Sequence, residues 1–228
     1  MPTGAPEIFA SIQGEGASMG VPSTFVRLAT CNLRCSWCDT AYTWDWDRFD
    51  RAEQTMRADA DAVAAIVESH APRNVVITGG EPLIQRRELV PLVERLRLAG
   101  FRLEVETNGT IAPGELSGRI DQWNVSPKLA HSGNEGLRRI VPEVLRAFAA
   151  EPGAVLKLVV QSPPDLAEAA SIIDDSGFDP SRVILMPEGR TAAELAERST
   201  WLAEACAERG YRFSSRLHIL LWGDKRGV

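Results

Sequence analysis

The 228-residue chain lacks any apolar run that approaches the roughly 20 residues needed to span a bilayer. A basic segment followed by an apolar one is missing from its N-terminus, and the chain has no fixed-period repeat, low-complexity segment or obvious interdomain linker. We therefore expect a cytoplasmic protein with no membrane partner, folded as one domain over 1–228. Within it we expect an N-terminal extension at 1–22 built as a loop or small hairpin, a core at 23–210 and a C-terminal segment at 211–228.

Basic residues are in the minority and are scattered along the chain. The sequence has 25 Lys and Arg against 31 Asp and Glu, which gives a formal net charge of -6. Proteins that bind nucleic acid usually carry a clustered basic surface. We therefore expect no direct binding to tRNA or DNA.

Cysteine is scarce, with four residues in the chain, yet Cys31, Cys35 and Cys38 fall within one short stretch. In a reducing compartment, clustered cysteines are more often ligands or catalysts than disulfide partners. Three thiolates are one short of a closed tetrahedral site, so a bound metal or cluster would keep one position free. Unligated or structural cysteines are the alternative. The fourth cysteine, Cys206, has a different predicted role. It shares a helical spacing with Leu195 and Leu202, and this pattern predicts that it lies on the buried face of a helix.

Short apolar segments typical of β-strands alternate with helical patterns along the chain. Strands are predicted at 23–30, 74–78, 102–107, 122–126, 154–160 and 182–186. Helices are predicted after a cap at Asp59 or Asp61, at 86–99, around Leu137, Ile140, Val141, Val144 and Leu145, at 165–176 and at 191–209. This alternation predicts an α/β fold with a parallel sheet and helices packed outside it. Because a complete eight-unit barrel takes roughly 250 residues, a partial, six-unit β/α barrel is predicted.

Polar residues follow the carboxyl ends of these predicted strands, where parallel α/β folds bind their ligands. After the cysteine loop, the strand ends carry Thr78-Gly-Gly-Glu-Pro82, Glu106-Thr-Asn-Gly109, Ser126-Pro-Lys128, Gln161 and Met186-Pro-Glu188. The glycine pair would let the backbone approach a ligand closely, although a turn without a ligand explains it equally well. We expect one ligand to reach several of these loops.

This combination resembles the radical S-adenosylmethionine (SAM) superfamily. The resemblance is carried by the Cys-x3-Cys-x2-Cys loop after the first strand, by Trp37 before the last cysteine, and by Gly79-Gly-Glu-Pro82 after the second strand. It implies that Cys31, Cys35 and Cys38 hold three irons of a 4Fe-4S cluster, while the amine and carboxylate of SAM chelate the fourth. It also implies a reducing electron donor protein of unknown identity.

The same resemblance implies a set of SAM contacts at the strand ends. These are Trp37, Thr78, Gly79, Gly80, Glu81, Thr107, Asn108, Ser126, Lys128 and Gln161. For several of them a structural role is an equal alternative. Asn108 can shape its own turn, Ser126 and Lys128 can be solvated loop residues, and Gln161 can satisfy a strand end.

A narrower resemblance is to the 7-carboxy-7-deazaguanine synthases, and it runs from about Phe9 to Trp222. It is carried by Ser11-Ile-Gln-Gly-Glu-Gly16, Cys38-Asp-Thr40, Ser126-Pro-Lys128 and Leu217-His218. Enzymes of this family contract 6-carboxy-5,6,7,8-tetrahydropterin to 7-carboxy-7-deazaguanine with loss of ammonia. A 5'-deoxyadenosyl radical takes hydrogen from C6 of the pterin, and the product feeds deazapurine pathways such as queuosine.

By this resemblance, residues of the N-terminal extension and of the strand ends contact the pterin. They are Ile12, Gln13, Gly14, Glu15, Gly16, Arg27, Thr78 and His218. Gln13 and Glu15 suit the donor and acceptor edge of a pterin, with an ordinary polar turn as the alternative. Arg27 would bind a substrate carboxylate or form a structural salt bridge. His218 would contact the substrate or be a hydrogen-bonded core histidine.

The resemblance further implies a Mg2+ ion that bridges the Thr40 hydroxyl and the substrate, and a homodimer to which Ile219-Leu-Leu-Trp222 contributes. Interior packing is the alternative for that apolar segment. Asp39 is expected to shape the turn after Cys38 and is left outside the site. The polar insertion at 43–57 is expected to cover the substrate, to join an interface or to be a surface loop.

Two other functions remain open at this level. One is a small activase that makes a glycyl radical on a partner protein, against which the Gln13-Gly-Glu15 block argues. The other is a zinc or electron-transfer module with a fourth ligand from Cys206 or a histidine, which would not require the polar strand ends. No residue is assigned to the later proton removal.

Overall fold

The order of the strands in the sheet follows the order of the chain. The computed structural model, which describes residues 7–228, places eight strands side by side from β1 to β8. They are β1 (Ile8–Ile12), β2 (Pro22–Leu28), β3 (Asn74–Gly79), β4 (Arg102–Thr107), β5 (Gln122–Val125), β6 (Ala154–Val160), β7 (Val183–Pro187) and β8 (Arg212–Phe213). Among the strand pairs within residues 7–228, only β1–β2 is antiparallel. Because β1 and β8 are the two edges, the sheet is open, which confirms the partial barrel.

The six predicted strands correspond to β2–β7, and two further strands extend the sheet. β1 pairs with β2 through registers such as Ile8 with Val26, and it buries Ile8 and Phe9. Of the loop and the small hairpin expected for the N-terminal extension, the structure has the hairpin. Residues 1–6 of the extension lie outside the described range. β8 has two residues, too few for an alternating pattern to be recognised in the sequence.

Eight α-helices flank the strands in the described part of the chain. They are α1 (Arg51–Gln54), α2 (Ala60–Ser69), α3 (Arg86–Leu98), α4 (Gly136–Arg139), α5 (Pro142–Ala149), α6 (Asp165–Ser176), α7 (Ala192–Arg209) and α8 (Leu217–Trp222). Asp59 caps α2 by accepting the Ala62 N–H at 2.7 Å. Helix α7 begins with a Thr191 capping box and ends at Gly210 in the left-handed region. Cys206 is buried on α7, as its spacing predicted.

One predicted helix is wrong in its extent. The apolar residues from Leu137 to Leu145 are divided between α4 and α5, with Val141 in a non-helical conformation. Pro142 disfavours the helical region for the residue before it, while its fixed φ suits the first turn of α5. Leu137, expected on the buried face, is 96% exposed.

Strand residues alternate between two environments. One set packs with the helices in the main core: Val75, Ile77, Leu103, Val105, Trp123, Leu156 and Leu158. The intervening positions face the barrel interior and include polar residues: Glu104, Glu106, Asn124 and Lys157. Because side chains alternate across a strand, the same strands build both the apolar core and a polar interior.

Candidate active site

A cavity of about 250 Å³ lies at the carboxyl ends of the parallel strands. Most of the residues singled out in the sequence line it: Ile12, Gln13, Gly14, Glu15, Arg27, Cys31, Cys35, Trp37, Cys38, Thr40, Thr78, Gly79, Gly80, Thr107, Asn108, Ser126, Lys128 and His218. Residues up to 206 positions apart in the sequence, from Ile12 to His218, are thereby brought to one site. The polar strand ends converge as the parallel sheet requires.

Three of the singled-out residues do not line the cavity. Gly16 donates its backbone N–H to Ser214 Oγ at 3.0 Å, and Gln161 is exposed beyond the end of β6. The Glu81 carboxylate is fully buried and accepts hydrogen bonds from the backbone N–H groups of Leu83 and Asn108 and from the Thr107 hydroxyl. Burial raises the pKa of Glu81 above its ordinary value. This side chain ties the loop after β3 to the loop after β4.

Each of the three clustered cysteine sulfurs lies near an N–H donor. The donors are the Leu33 backbone to Cys31 at 3.5 Å, the Asn134 side chain to Cys35 at 3.4 Å and the Trp44 indole to Cys38 at 3.3 Å. Burial raises the pKa of Cys31 to about 11 and also raises that of Cys35. As thiolates, these sulfurs would therefore need a bound cation, and N–H donors suit the thiolate ligands of an iron–sulfur cluster.

The three thiols are of the ligand type that holds a 4Fe-4S cluster. In the described range 7–228, no three His, Cys, Asp or Glu side chains converge closely enough to hold a single metal ion. A 4Fe-4S cluster does not need that convergence, because its cysteines bind different irons. Cys206 is hydrogen-bonded to the Arg212 carbonyl at 3.6 Å and lies outside the cavity lining, so it does not complete a zinc site.

The glycine pair after β3 packs directly against the chain that enters the cysteine loop. A Cβ atom on Gly79 would lie 2.0 Å from the Leu28 carbonyl oxygen, and one on Gly80 would lie 2.1 Å from that of Thr30. Gly79 also has a φ of 126°, which side chains rarely allow. The pair is therefore required for the close approach of the two backbones beside Cys31, and it exposes backbone groups to the cavity.

A buried ionic cluster forms one wall of the cavity. The Glu15 carboxylate accepts from Lys157 Nζ at 2.7 Å and from Arg216 Nε at 2.9 Å, and Arg216 also pairs with Asp39. Burial opposes ionisation of Glu15, but the two cations outweigh it and hold its pKa well below the ordinary value. Glu15 is therefore ionised at neutral pH.

A second set of contacts fixes the Gln13 amide. Its Nε2 donates to Glu104 Oε1 at 2.8 Å and to Glu106 Oε1 at 3.1 Å, while its Oε1 accepts the Glu15 N–H at 3.3 Å. Lys157 also donates to Glu106, at 2.8 Å. Burial raises the pKa of Glu106. Gln13 and Glu15 thus belong to one network, and the orientation of each is set by protein groups.

Arg27 and His218 both line the cavity. Arg27 Nε pairs with Glu7 at 3.0 Å, so it makes the structural salt bridge while its guanidinium borders the cavity. The His218 ring packs against Gly14, where a Cβ would lie 2.1 Å from Nδ1, and its Nε2 lies 4.0 Å from Glu15. Burial lowers the pKa of His218, which favours the neutral ring.

Several cavity residues were not anticipated from the sequence, including Asp39, Trp44, Lys157 and Arg216, whereas Glu106 is one of the polar residues noted at the strand ends. Lys157 could have been identified from the sequence, because it is a charged residue inside the otherwise apolar strand β6. Trp44 is the second residue of the insertion at 43–57, which therefore contributes to the site. Asp39, expected only to shape a turn, borders the cavity and pairs with Arg216. Arg216 had no local signal.

Comparisons with known proteins agree with this geometry. The structure superposes on the crystal structure of QueE from Escherichia coli with a TM-score of 0.71 and 27% identity, covering 95% of this chain and 94% of that one. Streptococcus suis SuiB bound to S-adenosylmethionine shares the fold, with a TM-score of 0.60 and 13% identity over 84% of this chain and 49% of that one. No helix within residues 7–228 is both long and apolar enough to cross a membrane.

Sequence comparisons give the family. The Radical SAM superfamily model matches residues 26–127. The 7-carboxy-7-deazaguanine synthase of Pyrobaculum aerophilum is 40% identical, covering 97% of this chain and 95% of the relative, and that of Halobacterium salinarum is 39% identical, covering 96% and 90%. The enzyme of that name from Escherichia coli K12 is 32% identical, covering 94% and 96%. The chain therefore belongs to the 7-carboxy-7-deazaguanine synthase family of radical SAM enzymes.

Proposed function

We propose that this protein converts 6-carboxy-5,6,7,8-tetrahydropterin to 7-carboxy-7-deazaguanine for deazapurine biosynthesis. The observation that supports it best is the placement of the Cys31, Cys35 and Cys38 thiols and the ionised Glu15 on the walls of one cavity. When bound and reduced, the 4Fe-4S cluster and SAM supply a 5'-deoxyadenosyl radical. The chain's own residues hold the substrate beside it and exclude water.

In this proposal the buried network orients the pterin. Glu15 is held ionised by Lys157 and Arg216, and its remaining lone pairs accept N–H groups from the pterin ring. Gln13 keeps its amide orientation through Glu104 and Glu106, and it steadies the Glu15 backbone. The ring position is thereby set by groups that do not have to reorganise on binding.

The substrate carboxylate is proposed to bind at Arg27, whose guanidinium is fixed by Glu7. His218, Gly14 and Ile12 form the adjoining wall. Gly16 lies behind this wall, so its contribution is to the backbone conformation of the loop. Thr78 reaches the cavity at the end of β3, between the proposed SAM and pterin positions.

The SAM contacts are proposed at the remaining strand ends. The backbone at Gly79 and Gly80 receives the methionyl amine, and Glu81 supports that turn from behind. Further contacts to the carboxylate, ribose or adenine are proposed for Trp37, Thr107, Asn108, Ser126, Lys128 and Gln161. Lys128 is held near the cavity by a 3.0 Å hydrogen bond to Ser126 Oγ.

The Thr40 hydroxyl is proposed as the protein group that would hold a Mg2+ ion at the substrate site. Thr40 borders the cavity, and its Oγ1 lies 3.7 Å from Cys38 Sγ. Magnesium prefers oxygen ligands and keeps several positions for water and substrate, so a single protein hydroxyl suffices. We further propose a cytoplasmic protein that takes its electron from a reducing donor protein, a domain spanning 1–228, and a homodimer built with α8.

The substrate assay tests this function directly. The reconstituted protein, incubated anaerobically with reductant, SAM, Mg2+ and 6-carboxytetrahydropterin, is expected to form 7-carboxy-7-deazaguanine, measured by mass spectrometry. Omission of Mg2+ with a chelator present is expected to lower the rate tenfold or more, and Cys35→Ala is expected to abolish both the cluster and the product. Absence of product from protein with an intact cluster would refute the proposed reaction.

A further inference from the structure

Trp44 makes the shortest N–H contact to a sulfur of the clustered cysteines. Its indole Nε1 lies 3.3 Å from Cys38 Sγ, and the half-buried side chain lines the cavity. The residue stands at the start of the 43–57 insertion, to which the proposed reaction assigns no role. A hydrogen bond from an indole N–H to a ligand sulfur is the kind of contact that tunes an iron–sulfur cluster.

The position of Trp44 is fixed by the backbone around it. The preceding residue, Thr43, is buried, and its carbonyl accepts the Thr30 N–H at 2.7 Å. The Thr43 hydroxyl donates to the Thr40 carbonyl at 2.8 Å, which closes the short helix Ala41–Thr43. These contacts tie the start of the insertion to the chain on both sides of the cysteine loop. The backbone that carries the indole is therefore held by contacts within the protein.

We infer that Trp44 raises the reduction potential of the cluster through its N–H donation to Cys38 Sγ. Reduction adds one electron, supplied by the electron donor, and no bond or proton changes place. The added negative charge is shared with the ligand sulfurs, so a donor hydrogen bond stabilises the reduced state more than the oxidised state. This inference rests on the cluster assignment in the proposed function.

An alternative role for the Trp44 side chain is to cover the cluster. For replacement of the side chain, this role predicts a shift of the reduction potential in the opposite direction. Water admitted to the cluster would stabilise the more negative, reduced state and raise the potential. Loss of the N–H donor alone would lower it. Trp44→Phe separates the two roles, because phenylalanine keeps an aromatic cover but has no N–H group.

The test is a redox titration of the reconstituted proteins followed by electron paramagnetic resonance of the reduced cluster. Trp44→Phe is expected to shift the midpoint to a more negative potential, so that at a fixed potential near the wild-type midpoint the ratio of reduced to oxidised cluster falls threefold or more. Trp44→His, which restores an N–H donor, is expected to lie closer to wild type. The matched control is Trp46→Phe, because Trp46 lies two residues after Trp44 and its ring packs against the Arg51 guanidinium. That variant is expected to titrate as wild type.

An unchanged or more positive midpoint in Trp44→Phe, with a normal cluster signal, would overturn the inference and leave the proposed reaction intact. If that variant does not retain its cluster, Trp44→Leu is compared in the same way. Absence of iron and of the resonance signal from the wild-type protein would overturn the cluster assignment, and the inference with it.

Discussion

Lys157 shows how a single residue joins distant parts of the site. It is 4% exposed, lies in the otherwise apolar strand β6, and donates to both Glu15 and Glu106. The pKa of Lys157 is raised, because the attraction of the two carboxylates exceeds the penalty of burial. Lys157 is therefore charged in the folded protein.

Removal of that charge is expected to destabilise the fold strongly. Lys157→Met keeps much of the volume but leaves Glu106 without its cation and Glu15 with Arg216 alone, so we expect a loss of about 3–5 kcal/mol in the free energy of unfolding. Urea unfolding at neutral pH measures it. Lys225→Met, at an exposed position near the C-terminus, is the control and is expected to change stability by less than about 0.5 kcal/mol. A loss below about 1 kcal/mol in Lys157→Met would contradict this reading.

Gly79→Ala tests the close backbone approach at the end of β3. The added Cβ would meet the Leu28 carbonyl oxygen at 2.0 Å, at a φ that alanine rarely adopts. We expect a loss of more than about 2 kcal/mol in unfolding free energy, with reduced cluster retention. Gly136→Ala, where a Cβ meets nothing within 4 Å, is the control and should retain its stability. Equal stability of the two variants in urea unfolding would disprove the requirement.

At the scale of elements, the C-terminal segment completes the wall of the cavity at the carboxyl ends of the strands. After β8 the chain turns back, and the Leu217 N–H donates to the Gly14 carbonyl at 2.8 Å. Arg216, just before α8, contacts Glu15, Asp39 and the Gly189 carbonyl. The segment therefore links the N-terminal loop, the cysteine loop and the end of β7.

Arg216→Met is expected to weaken substrate binding through this link. Glu15 would lose one of its two cations and part of its orientation, so we expect KM for the pterin to rise about tenfold, equivalent to about 1.4 kcal/mol. Steady-state kinetics with iron content measured in parallel gives the result. Arg209→Met, at an exposed position at the end of α7, serves as the control. An unchanged KM in Arg216→Met would show that Lys157 alone suffices to position Glu15.

At the scale of the whole molecule, α8 presents an apolar surface. Leu220, Leu221 and Trp222 are 48%, 52% and 40% exposed, whereas Ile219 on the same helix is buried. The alternative of interior packing therefore holds for Ile219 but not for the other three. A partner surface is consistent with this exposure.

We expect the protein to sediment as a dimer and Leu221→Asp to sediment as a monomer, since a charge at the centre of an apolar contact is costly to bury. Leu98→Asp is the control, because Leu98 is 90% exposed at the end of α3 and is expected to leave the dimer intact. Analytical ultracentrifugation at working concentration measures all three. A wild-type monomer would remove the dimer from the proposal.

The local sequence pattern was sufficient to predict much of the fold and of the candidate site. The six strands β2–β7 were predictable because their apolar residues are contiguous, and the Cys31–Cys38 loop and the Gly79–Gly80 turn carry their chemistry in adjacent residues. The limits of α4 and α5 were missed because the apolar pattern continues across Pro142, although proline restricts the residue before it. Strands β1 and β8 depend on pairing with a neighbour more than on their own sequence.

The sequence by itself determined the family, the cysteine loop and the edge of the sheet where ligands bind, because these depend on residues close together in the chain. Only the tertiary structure decided the partners of Glu15, which is 142 positions from Lys157 and 201 from Arg216. Which of the chain's many charges meet is set by how the curved sheet and the C-terminal segment close around the cavity. Burial then requires that those charges be paired, and it is this pairing that keeps Glu15 ionised.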